Sequence, residues 1–242
     1  MAGNLLGEPF DKYVNEQIKA RQKIHGNATR SLNDLRYLNT RNAWIKLASG
    51  CVLNDFRRTK LKGNPLVDNV KSGDGLAKNN VLFNGLSSFE KTGDNGNTPL
   101  QRSGITGDTY KKAYGVGGTT QFGYSPMPGI TDMSFKCLNR GSIKKATLTI
   151  KAHNRNQFDV IDVLYMRLGY SVMLEWGYDK YLDNDLKIRN TEETLIDKWF
   201  WNQNKSDYTK VYPKIEEFRE RYNGNYDAAF GIVSNFSWTF ES

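Results

Sequence analysis

Cysteine and histidine are scarce in this chain, with two of each among 242 residues. Cys51 and Cys137 lie far apart and show neither a disulfide framework nor metal-ligand spacing. His25 and His153 would need distant recruits to hold zinc, so no metal site is expected. No apolar run approaches the length of a membrane span. Met1-Ala2-Gly3-Asn4-Leu5-Leu6 lacks the basic start and apolar core of a signal peptide, which implies synthesis in a reducing cytoplasm.

Apolar residues are also few. A hydrophobic content of 38% is low for a compact globule, whereas 12% aromatic is generous, a pairing that suits a protein leaving apolar surface to partners. The net charge of +8 is unevenly placed: residues 1–62 hold 12 Lys/Arg against 5 Asp/Glu. A basic segment invites a nucleic-acid reading. Yet Lys12, Lys19, Arg21 and Lys23 belong to one amphipathic helix, and the last three favour its C-terminal end through the helix dipole. A solvated or partner-facing helix surface explains them, and no nucleic-acid-reading motif is present.

The first segment, 1–62, reads as a basic helical extension followed by a strand. A helix is expected from near Pro9, with Phe10, Tyr13, Val14, Ile18 and Ile24 as its apolar stripe and Gly26 as its stop. Ser31 and Asp34 have capping-box spacing for a short helix bearing Leu32, Leu35 and Leu38. Ala43–Leu53 reads as a strand anchored by Trp44. Residues 63–129 then change character, holding 13 of the 22 glycines and 4 of the 6 prolines. Short apolar islands interrupt them, such as Val81-Leu82-Phe83, which suggests an extended arm docking on neighbouring subunits. Gly115-Val116-Gly117-Gly118 lacks the Lys-Ser/Thr and strand-to-helix context of a phosphate loop.

Residues 130–178 are the most regular part. Met133, Phe135 and Cys137 alternate with polar neighbours, Asn139-Arg140-Gly141-Ser142 turns the chain, and Ala146, Leu148, Ile150 and Ala152 alternate again. Asn154 should cap a helix carrying Phe158, Ile161, Leu164, Tyr165 and Leu168, with Gly169 beyond its end. Val172, Leu174 and Trp176 then mark the inward parity of a third strand. A helical insertion is expected at about 180–224: Asn190 and Glu193 cap one helix with Leu195, Ile196, Trp199 and Phe200, and Pro213 opens another with Ile215, Phe218 and Tyr222. Finally, Ala228, Phe230, Ile232, Ser234, Phe236, Trp238 and Phe240 share one parity. As one strand these thirteen residues would span about 43 Å, so either a turn near Ser234-Asn235 folds the segment back or it is a tall wall strand of a barrel or ring. No later segment covers that face, so earlier strands or another subunit are expected to do so.

Candidate chemistry is thin. Glu175 with Asp159 and Asp162 could supply the carboxylate pair of a glycoside hydrolase. However, Asp159 and Asp162 read as the wet side of their helix, and Glu175 alternates outward from Val172, Leu174 and Trp176. Asp179, Asp183 and Asp185 lack the glycine and terminal glutamate of a calcium loop and read as a polar turn. No Ser-His-Asp or Cys-His arrangement has local support. No catalytic, cofactor-binding or metal-binding residue is therefore assigned.

Three stretches resemble baseplate proteins of large contractile-tailed bacteriophages. They are Pro9 to Gln22, the block from Asn139-Arg140-Gly141-Ser142 through Ala146–Lys151 and Phe158–Gly177, and Asn235-Phe236-Ser237-Trp238-Thr239-Phe240. The likeness is carried by structural motifs near both ends and in the middle of the chain, and it transfers no active site. It implies an α+β, strand-rich fold with a tail-tube-like β-barrel domain over 130–242, of the baseplate hub or tube-initiator type. It also implies a virion component that joins copies of itself and other tail proteins, without cofactor or turnover. The rival readings are a tail-associated wall-degrading enzyme and a basic nucleic-acid-binding module.

Overall fold

Strands β1 (Ala43–Ser49), β2 (Leu82–Gly85), β5 (Ser171–Tyr178) and β8 (Tyr226–Ile232) form one sheet in the order β2-β1-β5-β8. This computed structural model describes residues 10–27, 29–39, 41–52, 61–64, 75–85, 128–139, 143–191, 193–200 and 208–241. Strand β5 runs antiparallel to both neighbours. Asp179 N–H donates to Asn42 O and Gly50 N–H to Ser171 O on one side, Tyr178 N–H to Asn225 O and Gly169 N–H to Val233 O on the other. Two hairpins stand as separate two-stranded sheets, β3 (Gly129–Leu138) with β4 (Ile143–Lys151) and β6 (Lys180–Leu182) with β7 (Ile188–Asn190). The fold is α+β. The expected barrel is not closed among the described residues, because β2 and β8 remain at the sheet's ends instead of pairing.

Two compact units share the chain. One draws on Met1–Trp44, Gly85–Glu90 and Leu174–Ala229, the other on Ile45–Asn84, Lys91–Met173 and Phe230–Ser242.

In the first unit, α1 (Lys12–Gly26) buries Gln17, Ala20 and Ile24. Its stripe is narrower than expected: Tyr13, Val14 and Ile18 are half-buried and Phe10 is exposed, while Pro9 lies outside the described residues. The Gln17 amide donates to Leu182 O at 2.8 Å, which fixes a polar residue in the buried face. Helix α2 (Leu32–Asn39) opens with the expected capping box, Ser31 N–H to Asp34 at 2.9 Å and Asp34 N–H to Ser31 Oγ at 3.1 Å. Its apolar face differs from expectation, because Leu32 and Leu35 are exposed and Tyr37 is buried instead. The supposed helical insertion begins with the β6–β7 hairpin, followed by a four-residue helix α5 (Leu195–Lys198) and α6 (Tyr208–Arg221). Pro213 lies inside α6, not at its start. Val211, Ile215, Phe218 and Tyr222 are buried at helical spacing, and Gly224 stops the segment at φ +72.

In the second unit the β3–β4 hairpin keeps the expected alternation, pairing Met133 with Leu148 and Phe135 with Ala146, with a bulge between Ile130 and Asp132. Asn139 takes the left-handed conformation, whereas Gly141 lies outside the described residues. Between here and β1 lies the Val81-Leu82-Phe83 island, which falls in the chain's own sheet. Leu82 and Phe83 belong to β2, beside β1 in the same sheet, and Val81 and Leu82 are buried. A short α3 (Gly75–Asn79) precedes it, and the rest of the glycine-rich stretch, including Gly115–Gly118, lies outside the described residues.

Helix α4 (Arg155–Tyr165) starts where the sequence indicates. Asn154 Oδ1 accepts from Gln157 N–H at 2.9 Å, and the Gln157 amide oxygen accepts from His153 N–H at 2.8 Å. Val160, Ile161, Leu164 and Tyr165 are buried. Leu168 lies past the helix end and is 64% exposed, so the expected apolar face is one turn too long. Removing the cap oxygen orphans a helix-end donor. Asn154→Ala is expected to cost about 1 kcal/mol in urea unfolding, with the m-value unchanged.

Candidate functional site

The acid that the alternation points outward is the most buried one. Glu175 sits mid-strand in β5 with no exposed surface, and Met173 and Gly177 share its parity and its burial. Trp176 and Val172 are only half-buried. The expectation that Glu175 faces water is corrected: a strand with neighbours on both sides and cover on both faces loses its polar/apolar alternation.

Three donors converge on one oxygen of this carboxylate. The Tyr226 hydroxyl donates to Glu175 Oε2 at 2.9 Å, Leu195 N–H at 3.1 Å and Ile196 N–H at 3.3 Å. The two N–H groups open helix α5, so its N-terminal cap comes from a residue twenty positions earlier. The expected Asn190–Glu193 cap does not form that way. Asn190 ends β7, and Glu193 N–H donates to the Tyr222 hydroxyl at 3.1 Å.

Aromatic rings enclose the same carboxylate. Tyr226 lies 5.5 Å from Phe218 and 6.1 Å from both Trp44 and Tyr222, ring centre to ring centre. Burial, and then the charge and hydrogen bond of Glu175, push the Tyr226 hydroxyl well above its ordinary pKa. A carboxylate so enclosed is out of contact with solvent. What it can do chemically is hold three donors in fixed positions.

The other candidate acids are engaged elsewhere, and of them Asp179 is buried as well. Asp159 lies 3.9 Å from Arg155 on the same helix, and Asp162 pairs with Arg167. Both are half-buried and belong to the second unit, whereas Glu175 belongs to the first. Asp179 accepts from the Asn42 backbone at 3.1 Å and from its amide at 3.3 Å. Asp183 shapes the β6–β7 turn, taking Asp185 N–H and Lys187 N–H on one oxygen and Arg189 at 2.8 Å on the other. Burial alone would raise its carboxyl pKa, but the Arg189 bond and charge and the backbone donors outweigh that and hold it below the usual value. An open polar depression of about 320 Å³ beside it is lined by Tyr181, Asp183, Asp185, Glu220, Arg221 and Asn223. Among the described residues no three His, Cys, Asp or Glu side chains cluster as metal ligands. His25, His153 and Cys137 are exposed and Cys51 is buried.

The long terminal strand is also corrected. Tyr226, Ala228 and Phe230 are buried on the expected parity, but strand structure ends at Ile232. Phe236, Trp238 and Phe240 are 41%, 55% and 77% exposed. Trp238 does not enter a core. It meets Phe158 edge-on at 5.8 Å and Phe240 at 5.0 Å, and Phe240 lies 5.9 Å from Phe158. Lys151 and Glu241 form an ion pair at 3.0 Å.

No protein family, curated protein or solved structure matches the chain. No helix among the described residues is long and apolar enough to cross a membrane.

Two outcomes follow from the buried network. Glu175→Ala strands two backbone donors and a tyrosine hydroxyl at roughly 1–3 kcal/mol each, so it should unfold the first unit or lower its melting point far more than Asp162→Ala does. Stability should also fall in alkali. Tyr13 is pushed up to about 12, by burial first and then the charge of Glu216, and Tyr165 and Tyr226 are raised by burial above all. A raised pKa stabilises fully below the unfolded value of about 10 and loses that contribution as pH climbs through the folded values. Tyrosinate absorbance should therefore appear in two stages, the second coinciding with loss of the circular-dichroism signal.

Proposed function

We propose that the chain is a structural component of a phage tail baseplate, one that joins copies of itself and neighbouring tail proteins in a ring or hub. The observation that carries an assembly role is the exposed aromatic row Phe236, Trp238 and Phe240, set on one parity of an extended segment that has no strand beside it among the described residues. The phage assignment itself rests on the sequence resemblance of the Pro9–Gln22, Asn139–Ser142, Ala146–Lys151, Phe158–Gly177 and Asn235–Phe240 stretches. In this reading the tube-like barrel belongs to the assembly: the open sheet is completed by strands of neighbouring tail proteins. The chain then works in the virion, with no cofactor and no turnover. Burial of Glu175 counts against the wall-degrading alternative, because only Asp159 and Asp162 of the proposed trio stay accessible, three residues apart on one helix and each paired with an arginine.

The test is particle size. The purified chain should form oligomers visible by light scattering and negative-stain microscopy, and Trp238→Ala should shift them towards monomer. Because Trp238 is more than half exposed, its loss should cost the isolated fold only about 0.5–1.5 kcal/mol, the worth of its edge-on ring contacts. Thr239→Ala, on the opposite parity, should leave both size and stability unchanged. A well-ordered monomer at every concentration would sink the reading, and so would reproducible peptidoglycan cleavage by the wild-type protein.

A further inference from the structure

The β3–β4 hairpin carries charges in an arrangement that a solitary ribbon disfavours. Its register sets Lys136 directly opposite Lys145, with Lys144 opposite Cys137 and Lys151 opposite Gly129. All four lysines are exposed. Like charges directly across a strand pair repel and destabilise it. Glu241 neutralises Lys151, but among the described residues no carboxylate pairs with Lys136, Lys144 or Lys145. Residues 129–151 contain five Lys/Arg and one acid, Asp132.

The ribbon is open in other ways. It has only two strands, so among the described residues both outer edges lack a neighbouring strand. Met133, Phe135, Ala146, Leu148 and Ile150 on one face are no more than half-buried. At the tip, Leu138 pairs with Ile143, and they are 44% and 50% exposed.

We infer that this hairpin is the docking ribbon for an extended strand of an acidic partner protein, a strand in which Glu or Asp alternates with apolar residues. Alternate side chains of an added strand fall on opposite faces. Its acids would continue the Lys136–Lys145 face and relieve the repulsion there, and its apolar residues would continue the Met133, Phe135 and Leu148 face. A second copy of this chain fits poorly, since each copy carries +8 and brings the same lysines. Nucleic acid fits poorly as well, since a phosphate backbone neutralises lysines but covers neither Leu138 and Ile143 nor the half-buried apolar face. The partner's chemistry is read from the ribbon alone and holds whether or not the baseplate reading does.

The test uses the full chain and a short fluorescein-labelled peptide of alternating Glu and Val, followed by fluorescence anisotropy at low and moderate salt. Comparison probes are a peptide of alternating Lys and Val, one of alternating Glu and Ser, and a short DNA duplex. The Glu/Val peptide should bind, more weakly as salt rises, and ahead of the other three. Lys136→Glu with Lys145→Glu should weaken it about tenfold or more and let the Lys/Val peptide bind instead, a swap of preference that a merely misfolded variant cannot produce. If that variant does not fold by circular dichroism, Lys136→Gln with Lys145→Gln should still show the loss. No binding of the Glu/Val peptide, binding indifferent to these substitutions, equal binding of the Glu/Ser peptide, or preferential binding of the duplex would each overturn the proposal.

Discussion

One buried carboxylate oxygen organises the first unit. Removing Glu175 from water is costly, and the cost is offset only because a hydroxyl and two backbone N–H groups meet it at hydrogen-bond distance. Those N–H groups begin a helix of four residues, far too short to nucleate unaided. Holding them fixes where Leu195 and Ile196 enter the core, both without exposed surface. Holding the Tyr226 hydroxyl places that ring between Trp44, Phe218 and Tyr222. One residue along from Trp176, a Cβ on Gly177 would stand 2.5 Å from Asn225 O, so the strands approach there as only glycine allows. The acid, the glycine and the aromatic cluster are parts of one close approach between β5 and β8.

A hydroxyl does the equivalent work in the second unit. Tyr165, at the end of α4, lies 3.0 Å from Leu47 O and 2.8 Å from Asn80 O, and Ser49 Oγ donates to Leu164 O at 2.6 Å. Asn80 is in turn fixed by its amide to Leu76 O. These bonds join α4, β1 and the turn before β2 at buried positions, where a lost partner costs more than the bond itself contributes. They explain how an 11-residue helix, a short edge strand and a five-residue helix act as one core.

Legibility in the sequence follows how local each interaction is. The Ser31–Asp34 box and the Asn154 cap use groups three residues apart, and both can be read from the residues themselves. The β3–β4 hairpin is similar, because one exposed and one half-covered face leave a clean alternation. Glu175 is the opposite case. An acid among Val, Met, Leu and Trp reads as the wet side of a strand, and the donors that reverse this come from positions 195, 196 and 226. No local signal announces them. A buried acid in mid-strand with an unusually small neighbour two residues on, here Gly177, is the only hint available. Leu32, Leu35 and Leu168 fail for the converse reason: apolar periodicity says which side of a helix could be covered, not whether anything covers it.

The terminal segment shows how that distinction bears on function. Its parity persists unbroken from Ala228 to Phe240, so the pattern alone describes one tall strand. A strand, however, is defined by its partner. The last pairing recorded along β8 is between Val233 and the Gly169–Tyr170 stretch, where Gly169 at φ +79 turns β5's chain away. Past that point β5 offers no backbone to pair with, and Trp238 and Phe240 rest on Phe158 and on each other. The side chains at 236, 238 and 240 therefore keep a strand's inward chemistry without a neighbouring strand among the described residues. Under the assembly role proposed above, a row maintained where the described sheet has run out is patterned for a surface that another chain would supply.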